Sequence, residues 1–290
     1  MANPKKSRQL DKEQVDKLNQ EWNNCLPSSI SNLFYEKHDK TGIQRVSYFS
    51  LNLDDADYDT IRGFWKEFHG FCIIRIIMGC ENEKFSPVFE LTHVDFQLSK
   101  TAQENPPSLY YSLIPNYDTE TPKPSLSPIF SYSNTLFNNE DPPSGLTEIT
   151  PGVADLFHKK WFELSNAKLS AAFSGITHRI DSGKPDTIGQ EGQQLLTSKR
   201  VQSYVFSQSD TNIVIAYIVN PIYEDSSVRM YMGSGLTMRF THPFRFRPML
   251  FLPNLQSGMP EVQSDPTDDP DSGTYFERSK PCPPYCDPEG

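Results

Sequence analysis

Apolar residues recur along the first seventy positions at the two spacings that local structure uses. Val15, Leu18, Trp22 and Cys25 lie three or four apart behind Asp11, an N-capping residue type, and predict an amphipathic helix. Pro27 interrupts it, and Ile30, Leu33 and Phe34 predict a second, short one. RVSYFSL reads as a strand. The acidic run LDDADYD then leads into Ile61, Phe64, Trp65 and Phe68 at helical spacing, and Gly70 supplies a stop. FCIIRIIMG, VFELTHVDF and SLYYSLI predict three strands, the first two joined by a GCENEK turn.

The helical spacing returns over 151–169 through Val153, Leu156, Phe157, Trp161 and Leu164. Beyond it, SAAFSGI, RVQSYVFS, NIVIAYIVN, VRMYMGSGLTMRF and PFRFRPMLFL read as strands, with a weak helix over 186–199. Between the halves, YDTETPKPSLSPIF and NNEDPPSG are rich in residues that leave a ladder without donors or favour turns. After Pro253 periodicity is lost, and the acidic, proline-interrupted stretch 256–280 is expected to lack regular structure.

These elements predict an α+β fold: two modules of mainly antiparallel sheet with flanking helices, at 1–115 and 151–253. A Pro-rich connector spans 116–150 and a disordered acidic tail 254–290. The halves rhyme, which makes an internal duplication a candidate. FSL, YDTIRGFWKEF, CIIRIIMG and VFELTHVD align with FSG, PDTIGQEGQQLL, VQSYVFS and IVIAYIVN, and each half opens on a Trp-bearing helix.

Composition narrows the function. The 290 residues are 36% hydrophobic, enough for a core, and carry a net charge of −10, which argues against a nucleic-acid partner. No apolar run approaches the roughly 18 residues of a membrane span, and none follows the basic start as in a secretory signal, so the expected location is the cytoplasm. The five cysteines are accordingly expected as thiols.

Most motif matches fail on their own chemistry. Asp55, Asp57 and Asp59 begin like a calcium loop, but Thr60 stands where the sharp turn needs Gly and Lys66 where a bidentate Glu is needed; helix capping explains the acids better. GKPDT lacks the first glycine of a phosphate loop, and GSG at 233–235 reads as a bulge or turn. No metal site emerges, and no cofactor is implied. Two stretches place a His two or three residues from a carboxylate, a spacing that can supply a base and its orienter: His93 with Asp95, and His178 with Asp181 beside Arg179.

Arg75, flanked by isoleucines, must find an acceptor, and the turn after it brings Glu90 opposite. Otherwise it marks an anion pocket, as do Arg239, Arg245 and Arg247 in the local basic patch RFTHPFRFRP. The terminal PCPPYC, with Cys282, Pro283, Pro284, Tyr285 and Cys286, forms a stiff segment around one aromatic residue, which suits docking to a protein partner. The expected function is therefore a binding or assembly protein without catalytic activity. The alternative is an enzyme acting on an anionic substrate in a cleft between the modules, with Arg75, His93, His178, Arg179, Arg245 and Arg247 at its centre.

Overall fold

A computed structural model describes residues 5–38, 42–94, 106–117, 148–149, 151–176, 198–223, 227–236, 244–253, 273–276 and 280–282. Along the chain, β1 (Gln9–Leu10) leads into α1 (Lys12–Asn24), a 3₁₀ turn at Ile30–Phe34, β2 (Tyr35–His38), β3 (Gly42–Arg45) and β4 (Tyr48–Leu51). Then come α2 (Asp55–Glu67), β5 (Cys72–Ile77), the hairpin β6 (Cys80–Glu81) and β7 (Lys84–Phe85), β8 (Val88–His93), β9 (Ser108–Ser112) and β10 (Ile114–Asn116). The second half gives β11 (Glu148–Ile149), α3 (Pro151–Glu163), α4 (Asn166–Ala172), β12 (Ser174–Ile176), β13 (Ser198–Arg200) and β14 (Ser203–Val205). It ends with α5 (Gln208–Ile218), a 3₁₀ turn at Pro221–Tyr223, β15 (Val228–Leu236), β16 (Phe244–Pro253), β17 (Gly273–Phe276) and β18 (Lys280–Cys282).

Helix starts follow the expected chemistry. Asp11 and Gln14 form a reciprocal capping box on α1, and Asp54 and Asp57 form another on α2, so the acids of LDDADYD satisfy the orphan N–H groups of a first turn. Gly70, at φ 79°, and His69, at φ 51°, both adopt the left-handed conformation and turn the chain out of α2 into β5.

Among the described residues all pairing is antiparallel, in two six-stranded sheets and three two-stranded ones, and the fold is α+β. The first sheet runs β1-β9-β8-β5-β14-β18 and the second β11-β17-β16-β15-β4-β10. Each therefore takes strands from both sides of residues 118–147, so the halves do not complete separate sheets at the 116–150 connector. Burial explains the sharing. β5 buries Cys72, Ile74 and Ile76 on one face and Ile73 on the other, and a strand covered on both faces needs a paired neighbour on each edge.

The two sheet orders correspond strand for strand, and so do their surroundings. Trp22 of α1 donates its indole N–H to the Val201 carbonyl, and Trp161 of α3 donates to that of Val46. Arg200 donates to the Trp22 and Cys25 carbonyls at the end of α1; Arg45 donates to those of Trp161 and Leu164 at the end of α3. Each guanidinium thus satisfies orphan carbonyls at a helix C-terminus. Asn19 donates to the Met78 carbonyl, and the His158 ring bonds to that of Met232. Between the two sets, Phe34 and Phe173 stack with ring centroids 5.2 Å apart, nearly parallel.

The inner faces of both sheets feed one core: Ile74, Ile76, Phe89 and Tyr204 from the first, Phe49, Met230, Phe246 and Leu250 from the second, with Tyr204 and Phe246 in edge contact. Helix α3 covers the outer face of the second sheet through Ala154 and Phe157 against Tyr231, Met249 and Phe251.

Five expectations change. NIVIAYIVN is not a strand but most of α5, started by a Ser207 cap; it is apolar nearly all round because Val214, Ile215, Tyr217 and Ile218 are all buried. SAAFSGI is the end of α4 followed by β12. The GSG stretch at 233–235 is neither bulge nor turn, since it pairs in unbroken register with Arg247, Phe246 and Arg245. Within the stretch expected to lack regular structure, β17 pairs with β16 and β11, and β18 beyond it pairs with β14, so these pieces are ordered by main-chain bonds to an open sheet edge. The sequence alignment of VFELTHVD with IVIAYIVN also fails, because a strand stands against a helix; by position β8 corresponds to β16 and α2 to α5. The weak helix over 186–199 falls almost wholly outside the described residues.

Candidate functional site

The sequence-selected residues separate on the sheet. In the β5–β8 register Cys72 faces His93 and Arg75 faces Glu90. By alternation the first pair lies on the core face and the second on the opposite one, so Arg75 and His93 do not share a site. His93 is half-buried at the end of β8. Its Nδ1 lies 2.9 Å from the Phe71 carbonyl, to which it donates, and its ring stacks on Phe68 with centroids 4.3 Å apart. Asp95, His178, Arg179, Asp181 and Arg239 lie outside the described residues, as do Pro283, Pro284, Tyr285 and Cys286. Arg245 and Arg247 have backbones in β16, opposite Gly235 and Gly233, with side chains outside the description; Cys282 closes β18, likewise by its backbone.

Arg75 meets Glu90 as the cross-strand reasoning expects, with Nη1 3.3 Å from Oε2. The pair is incompletely satisfied: Arg75 Nε and Glu90 Oε2 are buried without an aligned hydrogen-bond partner. Burial pushes the Glu90 carboxyl above the usual carboxylate range, and the attraction of Arg75 does not offset it. Arg75 is therefore committed to a carboxylate, which weakens its reading as an anion pocket.

His158, missed in the sequence, is another buried histidine. Its Nδ1 lies 2.8 Å from the Met232 carbonyl and so carries the proton, which leaves Nε2 to accept from the Ser47 hydroxyl at 3.1 Å. Desolvation holds its pKa below the ordinary histidine value. Both nitrogens are occupied in tying α3 to Ser47, just before β4, and to β15.

Among the described residues a concave feature with unspent chemistry lies between α2 and α5. A cleft of about 380 Å³ is lined by Trp65, His69, Gly70, Gln208, Asn212 and Ile213, with Ala216 beside them. The left-handed turn at His69 and Gly70 forms one wall, held by Gln208 donating to the Gly70 carbonyl at 3.3 Å. Trp65 Nε1 and Asn212 Oδ1 are buried and neither has a hydrogen-bond partner. The two converge on one spot: a methyl group placed on Gly70 would lie 3.3 Å from the indole nitrogen and 3.9 Å from the amide oxygen. An unmade bond at a buried polar atom costs about 1–3 kcal/mol, so a donor and an acceptor left open side by side form a receptor for a complementary group. No sequence signal identified this site, since Trp65 and Asn212 lie far apart in the chain and α5 reads as a strand.

Among the described residues no group of three or more His, Cys, Asp or Glu is placed to hold a metal ion, and no helix is long and apolar enough to cross a membrane. No protein-family model, curated protein or solved structure matches the chain.

Proposed function

We propose that the chain is a binding protein without catalytic activity, built as an internal duplication of two equivalent units, and that it receives an amide-bearing ligand where the equivalent helices α2 and α5 meet. The observation that carries this reading is the pair of unpartnered atoms over Gly70. The Trp65 N–H suits a ligand carbonyl, and the Asn212 oxygen suits a ligand N–H. Ile213 and Ala216 supply apolar contact, and the volume falls in the range of small-molecule sites. The matched strand orders and matched tryptophan and arginine bonds support the duplication. The separation of Arg75 from His93 counts against the alternative of an enzyme with an anionic substrate.

The PCPPYC segment is retained as a second contact, for a protein partner; β18 fixes its start at a sheet edge. The free Cys25, Cys72 and Cys80 suit a reducing compartment such as the cytoplasm.

The test compares benzamide with methyl benzoate, which lacks the N–H, by saturation-transfer NMR and calorimetry on the full chain. Benzamide should bind at least about tenfold tighter, the worth of one hydrogen bond, and both Trp65→Phe and Asn212→Leu should weaken it. Equal binding of the two probes, or binding indifferent to both substitutions, overturns the assignment.

A further inference from the structure

We infer that the cleft between α2 and α5 selects amides whose N–H and C=O point to the same side, the edge that primary carboxamides and ring lactams present, and refuses the trans secondary amide of a peptide chain. The inference rests on the amide-binding reading above and names the class of amide.

The atoms around the turn impose the selection. The Gly70 N–H donates to the Trp65 carbonyl at 3.1 Å. The Gly70 carbonyl accepts from the Cys72 N–H at 2.9 Å and from Gln208 at 3.3 Å. The turn is thus fixed, and its own main-chain groups are used. Among the residues that line the cleft, the buried side-chain atoms without a partner are one donor, Trp65 Nε1, and one acceptor, Asn212 Oδ1. Both lie within 4 Å of the point over Gly70 where a side chain would begin. A group at that point must offer an acceptor to the indole and a donor to the Asn212 oxygen from a single edge. No carboxylate, lysine or arginine lines the cleft, so hydrogen-bond pattern rather than charge decides what enters.

Amide geometry then discriminates. In a trans secondary amide the N–H and C=O point in opposite directions across a planar unit. It can serve the indole or the Asn212 oxygen, and it leaves the other buried and open. The cis form would serve both, but non-prolyl peptide bonds adopt it in well under about 0.1% of cases. A primary carboxamide carries a hydrogen on the side of its carbonyl, and a lactam is held cis by its ring. Either presents both groups together.

The partner helix provides an internal comparison. Aligned on their N-caps, Asp54 and Ser207, α2 and α5 place Asp59 where Asn212 stands and Ile218 where Trp65 stands. There the acceptor is already spent. Arg62 donates to Asp59 at 2.7 Å and to the Val219 carbonyl, at the end of α5, at 3.3 Å. The helices meet on that side without an open donor and acceptor, so their packing does not require the pair at Trp65 and Asn212.

The test measures three probes on the full chain by saturation-transfer NMR and calorimetry: benzamide, isoindolin-1-one and N-methylbenzamide. The methyl group of N-methylbenzamide takes the side of the carbonyl and turns the N–H away. Isoindolin-1-one also carries a carbon on its nitrogen but keeps the N–H beside the carbonyl, so it controls for bulk. Benzamide and isoindolin-1-one should each bind at least about tenfold tighter than N-methylbenzamide, the worth of one hydrogen bond. Trp65→Phe should shrink that advantage to within about threefold, since a single remaining bond no longer requires both groups on one edge. A preference for isoindolin-1-one over benzamide would assign a ring ligand and the reverse a carboxamide, and either supports the inference while N-methylbenzamide trails both. N-methylbenzamide binding as tightly as benzamide, with Trp65→Phe weakening both alike, overturns the inference and leaves the amide reading standing. Binding of none of the three overturns both.

Discussion

Removing the positive partner from the Arg75–Glu90 pair should cost far more at neutral pH than in acid. The side chain of Arg75 is 33% exposed and that of Glu90 only 4%, so the guanidinium keeps water and the carboxylate does not. At 3.3 Å and an effective dielectric of about 20, the attraction is roughly 5 kcal/mol. Desolvating a carboxylate costs several kcal/mol, so the intact pair comes out near break-even. Arg75→Met leaves Glu90 buried without its guanidinium partner, at a cost of about 3 kcal/mol, the low end for a broken buried pair because Arg75 is partly solvated and the Ser108 and Tyr110 hydroxyls still bond to the carboxyl. Glu90→Gln removes the buried charge and leaves a guanidinium that water can still reach, which should cost within about 1 kcal/mol. The second sheet tolerates the apolar version of this contact: Arg229 stacks over Phe251, the residue paired with it, at 5.8 Å from the ring centre.

The pH dependence carries the sharper test. The folded-state pKa of Glu90 is raised above its unfolded value, so in that window the folded state binds the proton that the unfolded state has lost. The contribution to stability is complete below the unfolded pKa and is lost as pH rises through the folded one. Without Arg75 the folded pKa climbs further. Urea unfolding at pH 4 and pH 7 should therefore show the Arg75→Met penalty mostly at pH 7, and Glu90→Gln should flatten the slope. Equal penalties for the two substitutions, or an Arg75→Met penalty unchanged at pH 4, would refute the account of a desolvated carboxylate.

Other outcomes follow from single contacts. His158 has its folded pKa lowered, so the unfolded state takes the proton first; melting temperature should fall as pH drops below about 6.5, and His158→Gln should remove that slope. At Gly79 an added methyl would lie 2.3 Å from the Ser86 carbonyl oxygen and 3.1 Å from Leu18, so Gly79→Ala should cost about 3 kcal/mol or more by denaturant titration, with a cost under 1 kcal/mol ruling the contact out. Gly70→Ala should cost about 1–2 kcal/mol from its positive φ and should also block benzamide by filling the spot over the turn. Truncation after Cys282 should leave the melting temperature unchanged, whereas truncation before Lys280 strips β18 from β14 and should lower it.

Local rules read the first half of the fold well. Its helices are amphipathic and carry acidic caps, and its longest strands have turn residues at their ends, so Asp11, the capping role of the LDDADYD acids, Gly70 and the Arg75–Glu90 register were all visible, though Asp54 was not singled out as the cap. The second half hid α5, because a helix buried nearly all round loses its polar stripe, and a Val- and Ile-rich run of that length reads equally as a strand. The sheet sharing was invisible for another reason: nothing local in RVSYFSL or VQSYVFS says which distant strand will cover its edge. The candidate cleft failed on both counts. It joins a glycine turn to a misread helix, and its defining property is two bonds not made.

Sheets shared between distant segments also govern how the protein can be born. Trp22 must wait for Val201, 179 residues further along, before its indole finds its carbonyl. At a synthesis rate of about 5–20 residues per second, that delay is on the order of 10–40 s. Throughout it the emerging amino-terminal portion presents β4 and β5 with one edge each unfilled. Such edges attract any extended chain nearby, including the same segment on a neighbouring ribosome. The molecule is thus obliged to finish translation before it can protect itself. Crowded polysomes are the setting in which two unfinished copies would most readily trade strands.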